Sequence, residues 1–285
     1  MTLSNAQAHV VERAVAARGD RPARITVGAV PVDLCSEPIA VTAIRERSTT
    51  DDATPPLAVV SVNLDHLHYF GSGGYLHGAF GIREGRSAPL HWLHLIDGAP
   101  IATRTEQLTG TRWPRLAGSD LIGPILRNAA ADGVSVGFVG GAPETHLLLR
   151  QALAVSHPHL RIAGLWAPSR ADLLDADTSH ALAQEIAAAD VDILVVCLGK
   201  PRQELWIDRY GALSGAKVFL AFGAVVDFLA HRVRRCPDWM ARHGLEWAWR
   251  LALEPRRLAR RYLVNGPGAY LAVRRTPPVE PPADR

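Results

Sequence analysis

Hydrophobic positions in this chain form short continuous runs, and longer stretches of mixed polarity separate these runs. The runs are rich in Val, Ile and Leu, which is typical of strands buried on both faces of a sheet. They predict strands at residues 57–63, 93–97, 134–141, 161–166, 193–198 and 217–222, and a short strand or hairpin at 24–33. Helices are expected in the mixed stretches at 36–48, 143–156, 179–189 and 203–210.

Strands that alternate with helices favour a parallel sheet covered by helices on both faces. The sequence therefore predicts an α/β fold with a Rossmann-like parallel sheet core and a basic helical C-terminal appendage. We expect a flexible leader at 1–23, the core at 24–230, the appendage at 231–275 and a disordered, proline-rich tail at 276–285.

The composition of the 285 residues, 48% of them apolar, suits a globular protein with a full core. The sequence has no apolar run of about 18 residues and no signal-like N-terminus, so we expect a cytoplasmic protein without a transmembrane helix. The three cysteines are far apart and form no C-x-x-C pair, which indicates packing residues rather than a metal or redox site.

Charge is unevenly distributed, although the net charge is only +3. Residues 231–275 contain eleven arginines, no lysine and three acidic residues, a net charge of +8. An anionic partner for this segment and a solvated helix face explain the charge equally well.

A polar stretch, residues 199–204, directly follows the predicted strand at 193–198. Ligands of open α/β sheets bind beyond the carboxyl ends of the strands, where helix N-termini expose backbone N–H groups. The stretch is therefore a candidate site for an anionic ligand, to which Lys200 and Arg202 can add charge and Gln203 a hydrogen bond. An ordinary exposed turn is an equally good interpretation of this stretch taken alone.

Several segments, in order and spacing, resemble the WecG/TagA/CpsF family, which is glycosyltransferase family 26. The early segments are similar to the family's T-x-N strand end, D-G turn and R-x-x-G-x-D-L segment. The later ones resemble its G-x-P-K-Q-E-x-W-I stretch, its G-G-x-F-D-F turn and its arginine-rich C-terminal pattern. The matching segments are 61–66, 96–98, 115–121, 198–207, 222–228, 235–240, 244–250 and 254–262.

This resemblance implies an inverting, metal-independent transfer of a sugar from a UDP-sugar to a polyprenyl-diphosphate-linked saccharide. The products would enter cell-wall polymer, capsule or exopolysaccharide synthesis, and no cofactor is implied. The expected partners are the UDP-sugar donor, the polyprenyl-diphosphate-linked acceptor and the anionic inner face of the cell membrane, where the protein would lie peripherally. We expect no nucleic-acid partner, and a homo-oligomer is left open.

The resemblance also implies roles for individual residues at the predicted strand ends. Asp97 is the candidate base, although an aspartate before a glycine also forms ordinary turns. Ser61 and Asn63 are candidates for orienting sugar or acceptor hydroxyls, with strand-end capping as the alternative. Gly199 and Gln203 are expected at the nucleotide or its sugar.

Three C-terminal arginines are the implied ligands of the diphosphate, because the planar guanidinium binds phosphate bidentately. These residues are Arg250, Arg257 and Arg260. On a helix, Arg257 and Arg260 share a face, and we expect Arg256 and Arg261 to face elsewhere, toward lipid phosphates. Tryptophans among these arginines suit either a membrane interface or the core.

Other patterns in the sequence are weaker. Asp175-Ala-Asp177 resembles a D-x-D metal motif but lies between helical segments, and the histidine pairs 66/68 and 91/94 lack a third ligand. Asp227 is expected to be a buried structural carboxylate. The segment 166–170 departs from the family pattern, which leaves the donor sugar open.

Two other functions remain open at this point. One is a different Rossmann-like enzyme that processes nucleotide sugars, such as a hydrolase. The other is a non-catalytic nucleic-acid-binding protein that uses the basic segment.

Overall fold

A computed structural model describes residues 22–78, 90–232, 236–237, 240 and 246–277. The predicted leader up to residue 21 and the predicted tail from residue 278 lie outside this range. Within the described residues, no helix is both long and apolar enough to span a bilayer.

A six-stranded parallel sheet forms the centre of the molecule, with the strand order β4-β3-β8-β7-β5-β6. A separate antiparallel hairpin, β1 and β2, precedes it. The strands are β1 (Ala23–Val27), β2 (Val30–Leu34), β3 (Leu57–Val62), β4 (His91–Ile96), β5 (Ser135–Val139), β6 (Arg161–Trp166), β7 (Ile193–Val196) and β8 (Val218–Ala221).

Helices cover both faces of the sheet and divide the hydrophobic core into two layers. The helices of the core are α1 (Glu37–Thr49), α2 (Leu64–Phe70), α3 (Ala99–Thr109), α4 (Gly118–Asp132), α5 (Pro143–Ser156), α6 (Arg170–Leu174), α7 (Ala176–Ala188), α8 (Arg202–Tyr210) and α9 (Val225–Leu229). One layer contains buried residues of α1, α4 and α5, and the other contains buried residues of α2, α3, α7 and α8. The predicted Rossmann-like α/β class is thus confirmed.

All six predicted sheet strands are present, with ends that differ by a few residues at most. Their continuous apolar runs identify them because both faces of each strand are buried. Five helices of the core were not predicted, namely α2, α3, α4, α6 and α9. The seven-residue α2 is too short for a periodic pattern, and α4 contains Pro124, a residue that normally argues against a helix interior.

The C-terminal segment consists of α10 (Glu246–Leu253), α11 (Pro255–Ala259), a π-helical turn (Arg260–Asn265) and α12 (Gly266–Arg274). Helix α12 packs against α2 and α3, and its Ala269 and Val273 are buried in the core layer of those helices. The Gly28 N–H donates to the Thr276 hydroxyl at 2.8 Å. The end of the expected appendage is therefore part of the core, and Thr276 is buried rather than part of a disordered tail.

Candidate active site

A cavity of about 670 Å³ opens at the carboxyl edge of the sheet. Residues that follow β3, β4, β7 and β8 form one side of it, and the start of α4 contributes a second side. The C-terminal segment closes the cavity with Trp247, Leu258, Arg261, Tyr262, Pro267 and Tyr270. This volume and this mixture of apolar and polar walls suit a small organic ligand.

Five of the residues singled out from the sequence line this cavity, namely Ser61, Asn63, Asp97, Gly199 and Gln203. They come from parts of the chain up to about 140 residues apart. The parallel sheet brings them together because the carboxyl ends of its strands lie at one edge.

Asn63 and Asp97 lie side by side because Val62 of β3 pairs with Ile96 of β4. The Asn63 Nδ2 donates to Asp97 Oδ2 at 2.9 Å. The other end of the same amide, Oδ1, accepts from the His66 N–H at 3.1 Å and caps α2. These two bonds fix the orientation of the amide, so Asn63 both caps a helix and holds the carboxylate.

Gly98 follows Asp97 with φ +90°, a backbone conformation that favours glycine. The chain turns here from β4 into α3, which begins at Ala99. The turn leaves the Asp97 side chain on the cavity wall.

Lys200 lines the same cavity, but its ammonium group is committed to protein acceptors. Its Nζ donates to Glu204 Oε1 at 2.7 Å and to the Ser61 carbonyl oxygen at 2.8 Å, and it lies 3.3 Å from His66 Nδ1. Arg202 donates from Nε and Nη2 to the Leu198 carbonyl oxygen. The Lys200 ammonium is thus not the free charge for an anionic ligand that the sequence suggests, and Arg202 does not line the cavity.

Gln203 is almost fully buried, with 1% of its surface exposed. Its Nε2 donates to the Ala221 carbonyl oxygen at 2.7 Å and to Glu204 Oε1 at 3.1 Å. Its Oε1 has no hydrogen-bond partner among the described residues and lies beside Gly223, where an added Cβ would be 2.9 Å away. A ligand contact of this side chain would therefore use the carbonyl oxygen.

The buried charges around Lys200 have displaced pKa values. Burial raises the pKa of Glu204, but the nearby Lys200 charge outweighs burial and lowers it to about 2. Burial, together with the Lys200 charge, lowers the pKa of His66 to about 3. At neutral pH the cluster therefore consists of a carboxylate, an ammonium group and a neutral imidazole.

The C-terminal arginines are arranged differently from the prediction. Arg250 and Arg257 lie in α10 and α11, but their side chains are outside what the structure describes. Arg260 is exposed and does not line the cavity, whereas Arg261 does. The α-helix ends at Ala259, and the π-helical turn that begins at Arg260 has a different angular step per residue.

Arg261 is held at the cavity by a carboxylate of α2. Its Nε lies 3.3 Å from Asp65 Oδ2, and 9% of the Asp65 side chain is exposed. Tyr262, the next residue, packs against Trp247 with a ring separation of 6.0 Å. Among its described side chains, the C-terminal segment thus supplies the Arg261 guanidinium and an aromatic pair to the wall of the cavity.

Several residues that line the cavity had no role in the reaction predicted from the sequence. Arg115 and Ser119, before and within α4, and the aromatic residues of the C-terminal segment belong to this group. Arg115 lies in a motif that carries the resemblance, so a signal for it was present. Trp247 and Tyr262 also lie in matching segments, 244–250 and 254–262, so a signal was present for them too, whereas Tyr270 lies outside these segments.

The weaker patterns of the sequence have structural explanations. Asp175 caps α7, since its Oδ1 accepts from the Thr178 N–H at 2.7 Å. His66 and His94 are buried, and among the described residues no group of three or more His, Cys, Asp or Glu side chains could hold a metal ion. Asp227 lies in α9 and is only partly buried, so the expectation of a buried carboxylate was wrong.

Comparison with known proteins agrees with the resemblance seen in the sequence. The glycosyl transferase WecG/TagA/CpsF family matches residues 25–278. The chain is also 29% identical over 166 residues to the N-acetylglucosaminyldiphosphoundecaprenol N-acetyl-beta-D-mannosaminyltransferase of Bacillus subtilis (strain 168). That match covers 58% of this chain and 62% of the Bacillus protein. Because the family match spans nearly the whole chain, this protein belongs to the WecG/TagA/CpsF family of glycosyl transferases.

Proposed function

We propose that this protein transfers a sugar from a UDP-sugar to a polyprenyl-diphosphate-linked saccharide, with inversion at the anomeric carbon and without a metal ion. The observation that carries this proposal is the cavity at the carboxyl edge of the sheet. One side of it presents the Asn63–Asp97 pair, and the C-terminal side presents Arg261.

Asp97 is the proposed base. Its carboxylate would take the proton from the acceptor hydroxyl while the oxygen of that hydroxyl forms a bond to the anomeric carbon. The bond from this carbon to the phosphate oxygen breaks in the same displacement, and UDP leaves with the electron pair. A positioned base contributes roughly 10²–10⁴-fold to such a step.

The leaving diphosphate needs positive charge, which the arginines of the cavity can supply. Arg261 and Arg115 are the described candidates, and the resemblance adds Arg250 and Arg257. The Arg261 side chain is 30% exposed and lines the cavity, so a ligand in the cavity can reach its guanidinium. A diphosphate with several negative charges can therefore displace the single carboxylate of Asp65.

Ser61, Gly199 and Gln203 complete the proposed binding site for the donor and the acceptor. The name of the Bacillus relative makes UDP-N-acetylmannosamine the first donor to test and polyprenyl-diphosphate-linked N-acetylglucosamine the first acceptor. Segment 166–170 departs from the family pattern, so UDP-linked forms of other hexoses are the next donors to test.

The C-terminal segment also carries a surface that suits the membrane on which such an acceptor lies. Leu263 and Val264 are 62% and 68% exposed, and Arg260, three residues before Leu263, is exposed as well. Exposed apolar side chains flanked by arginines favour the interface of an anionic bilayer. We therefore propose that the protein works peripherally on the inner face of the cell membrane.

The test is a transfer assay with UDP-N-acetylmannosamine and a short-chain polyprenyl diphosphate that carries N-acetylglucosamine. We expect a disaccharide product whose new linkage has the anomeric configuration opposite to that of the donor, formed equally well in excess EDTA. Release of UDP at the same rate without acceptor would instead identify a nucleotide-sugar hydrolase. Failure to bind UDP would contradict the proposal as a whole.

A further inference from the structure

A buried ionic cluster lies at the wall of the cavity and joins the helices α2 and α8. Lys200 precedes α8, Glu204 lies within α8, and His66 lies in α2. Glu204 and His66 are completely buried, and 8% of the Lys200 side chain is exposed. None of the three has a role in the transfer chemistry described above.

The geometry leaves Lys200 no hydrogen for a phosphate group. An ammonium group has three donors, and three acceptors lie around this one: the Ser61 carbonyl oxygen at 2.8 Å, Glu204 Oε1 at 2.7 Å and His66 Nδ1 at 3.3 Å. The depressed pKa of His66 keeps its imidazole neutral, so that Nδ1 can accept.

What Lys200 holds is the end of β3. The Ser61 carbonyl lies two residues before Asn63, and Asn63 donates to Asp97. Lys200 thus fixes the carbonyl group of Ser61. Two residues later, Asn63 orients the proposed base, Asp97. A displacement of this strand end would move the Asn63 amide and with it the Asp97 carboxylate.

The Glu204 carboxylate, which binds Lys200, is also connected to the end of the neighbouring strand β8. Glu204 Oε1 accepts from Gln203 Nε2, and this nitrogen also donates to the Ala221 carbonyl oxygen. One buried carboxylate therefore connects the ends of β3 and β8, the two adjacent strands that border the cavity.

Stability alone does not account for such a cluster. Removal of two charges from water costs several kcal/mol per ion, and well-packed apolar residues often give an equal or greater free energy of unfolding. A fixed geometry at the ends of two strands is something that apolar side chains would not provide, because only a hydrogen-bond donor can hold a carbonyl group at a set distance and direction.

We propose that Lys200, oriented by Glu204, is a positioning residue for the transfer reaction, because it fixes the carbonyl of Ser61 and thereby the Asn63–Asp97 pair. This inference rests on the function proposed above, in which Asp97 is the base. Lys200 itself contacts neither substrate.

The test uses the full-length double variant Lys200→Met/Glu204→Gln, which removes both charges together and so leaves neither ion buried alone. Lys217→Met is the matched control. Lys217 also pairs with aspartates, among them Asp192 at 2.9 Å, but it precedes β8 at the opposite edge of the sheet. For each variant, the measurements are kcat, the Kd of UDP, the melting temperature and amide hydrogen exchange at residues 61–63 and 95–98.

In the double variant we expect kcat to fall about 10-fold or more while the Kd of UDP changes less than about twofold, because misplaced catalytic groups lower the rate of the chemical step. Exchange should become faster at residues 61–63 and 95–98. Lys217→Met should lower the melting temperature without changing kcat. An unchanged kcat in the double variant, or a joint loss of kcat, UDP affinity and protection throughout the protein, would overturn the proposal.

The outcome also separates this inference from the proposed function. If the wild type binds UDP but transfers no sugar, the proposed reaction fails. Hydrogen exchange then still decides whether Lys200 fixes the ends of β3 and β4. Unchanged exchange at both segments in the double variant would reject the positioning role without any activity measurement.

Discussion

Asn63 Nδ2 and Asp97 Oδ2 lie 2.9 Å apart at the ends of two adjacent parallel strands. Neither residue could hold this geometry alone. The register of β3 and β4 sets their separation, and the capping bond from Asn63 Oδ1 to α2 sets which end of the amide faces the carboxylate.

The first prediction concerns the proposed base. Asp97→Asn keeps the shape of the side chain but removes its capacity to take a proton, so kcat should fall roughly 10²–10⁴-fold. UDP binding, measured by calorimetry, should stay within about twofold of the wild type, because the base acts on the acceptor. Transfer at a near-normal rate would exclude Asp97 from this role.

The second prediction distinguishes two neighbouring arginines. Arg261→Gln should weaken UDP binding about 10- to 100-fold, since a charge-assisted hydrogen bond to phosphate is worth about 1.5–3 kcal/mol. Arg260→Gln should have little effect on the Kd of UDP, because Arg260 is exposed and does not line the cavity. Arg256→Gln, also at an exposed position, is the control. If Arg260→Gln weakens UDP binding and Arg261→Gln does not, Arg260 faces the diphosphate as the sequence predicted.

Asp65→Asn tests whether the carboxylate competes with the diphosphate for Arg261. Without that competitor, UDP should bind as tightly as to the wild type or tighter, while the melting temperature of the ligand-free protein falls. If Asp65→Asn loses as much affinity for UDP as Arg261→Gln does, the Asp65–Arg261 ion pair instead serves to hold the C-terminal segment against the core. The measurement is a UDP titration followed by thermal shift.

A further prediction concerns the membrane surface. The double variant Leu263→Glu/Val264→Glu places two acidic groups on the exposed apolar surface and should weaken binding to anionic vesicles about 10-fold or more. The matched control is Leu174→Glu in α6, where the wild-type leucine is 85% exposed. Cosedimentation with vesicles containing phosphatidylglycerol measures the difference. Equal loss in both proteins would show that the C-terminal surface has no special role.

The buried His66 and Glu204 predict how stability depends on pH. The pKa of His66 is lowered from 6.5 to about 3 in the folded protein. As the pH falls below 6.5, His66 therefore binds a proton in the unfolded chain but stays neutral in the folded protein. The pKa of Glu204 is lowered from 4.5 to about 2, which adds the same trend below 4.5. The free energy of unfolding should therefore decrease on acidification through this range.

His66→Gln should flatten the part of this decrease between about pH 6.5 and 4.5, where the histidine is the group that takes up the proton. His180→Gln is the control, because His180 is exposed. Chemical denaturation at several pH values measures the slope. An unchanged slope in His66→Gln would mean that other groups cause the acid sensitivity.

Much of the fold could be predicted from the sequence, because burial on both faces gives parallel strands long apolar runs. The site was predicted in part for a related reason: Ser61, Asn63, Asp97 and Gly199 stand at or directly after such runs. The resemblance implied Arg260 as a ligand of the diphosphate, but Arg260 is exposed and its neighbour Arg261 lines the cavity. Lys200 was taken for a free charge because nothing in the sequence indicates that Ser61, Glu204 and His66 surround it.

The sequence by itself determined the strands, the α/β class and the residues that stand at the strand ends, because these features depend on local patterns of polarity and on short motifs. Only the tertiary structure decided the strand order, the hydrogen bond between Asn63 and Asp97, the arginine that lines the cavity and the acceptors that bind Lys200. Each of these depends on contacts between segments far apart in the chain, and strand register and helix phase set such contacts.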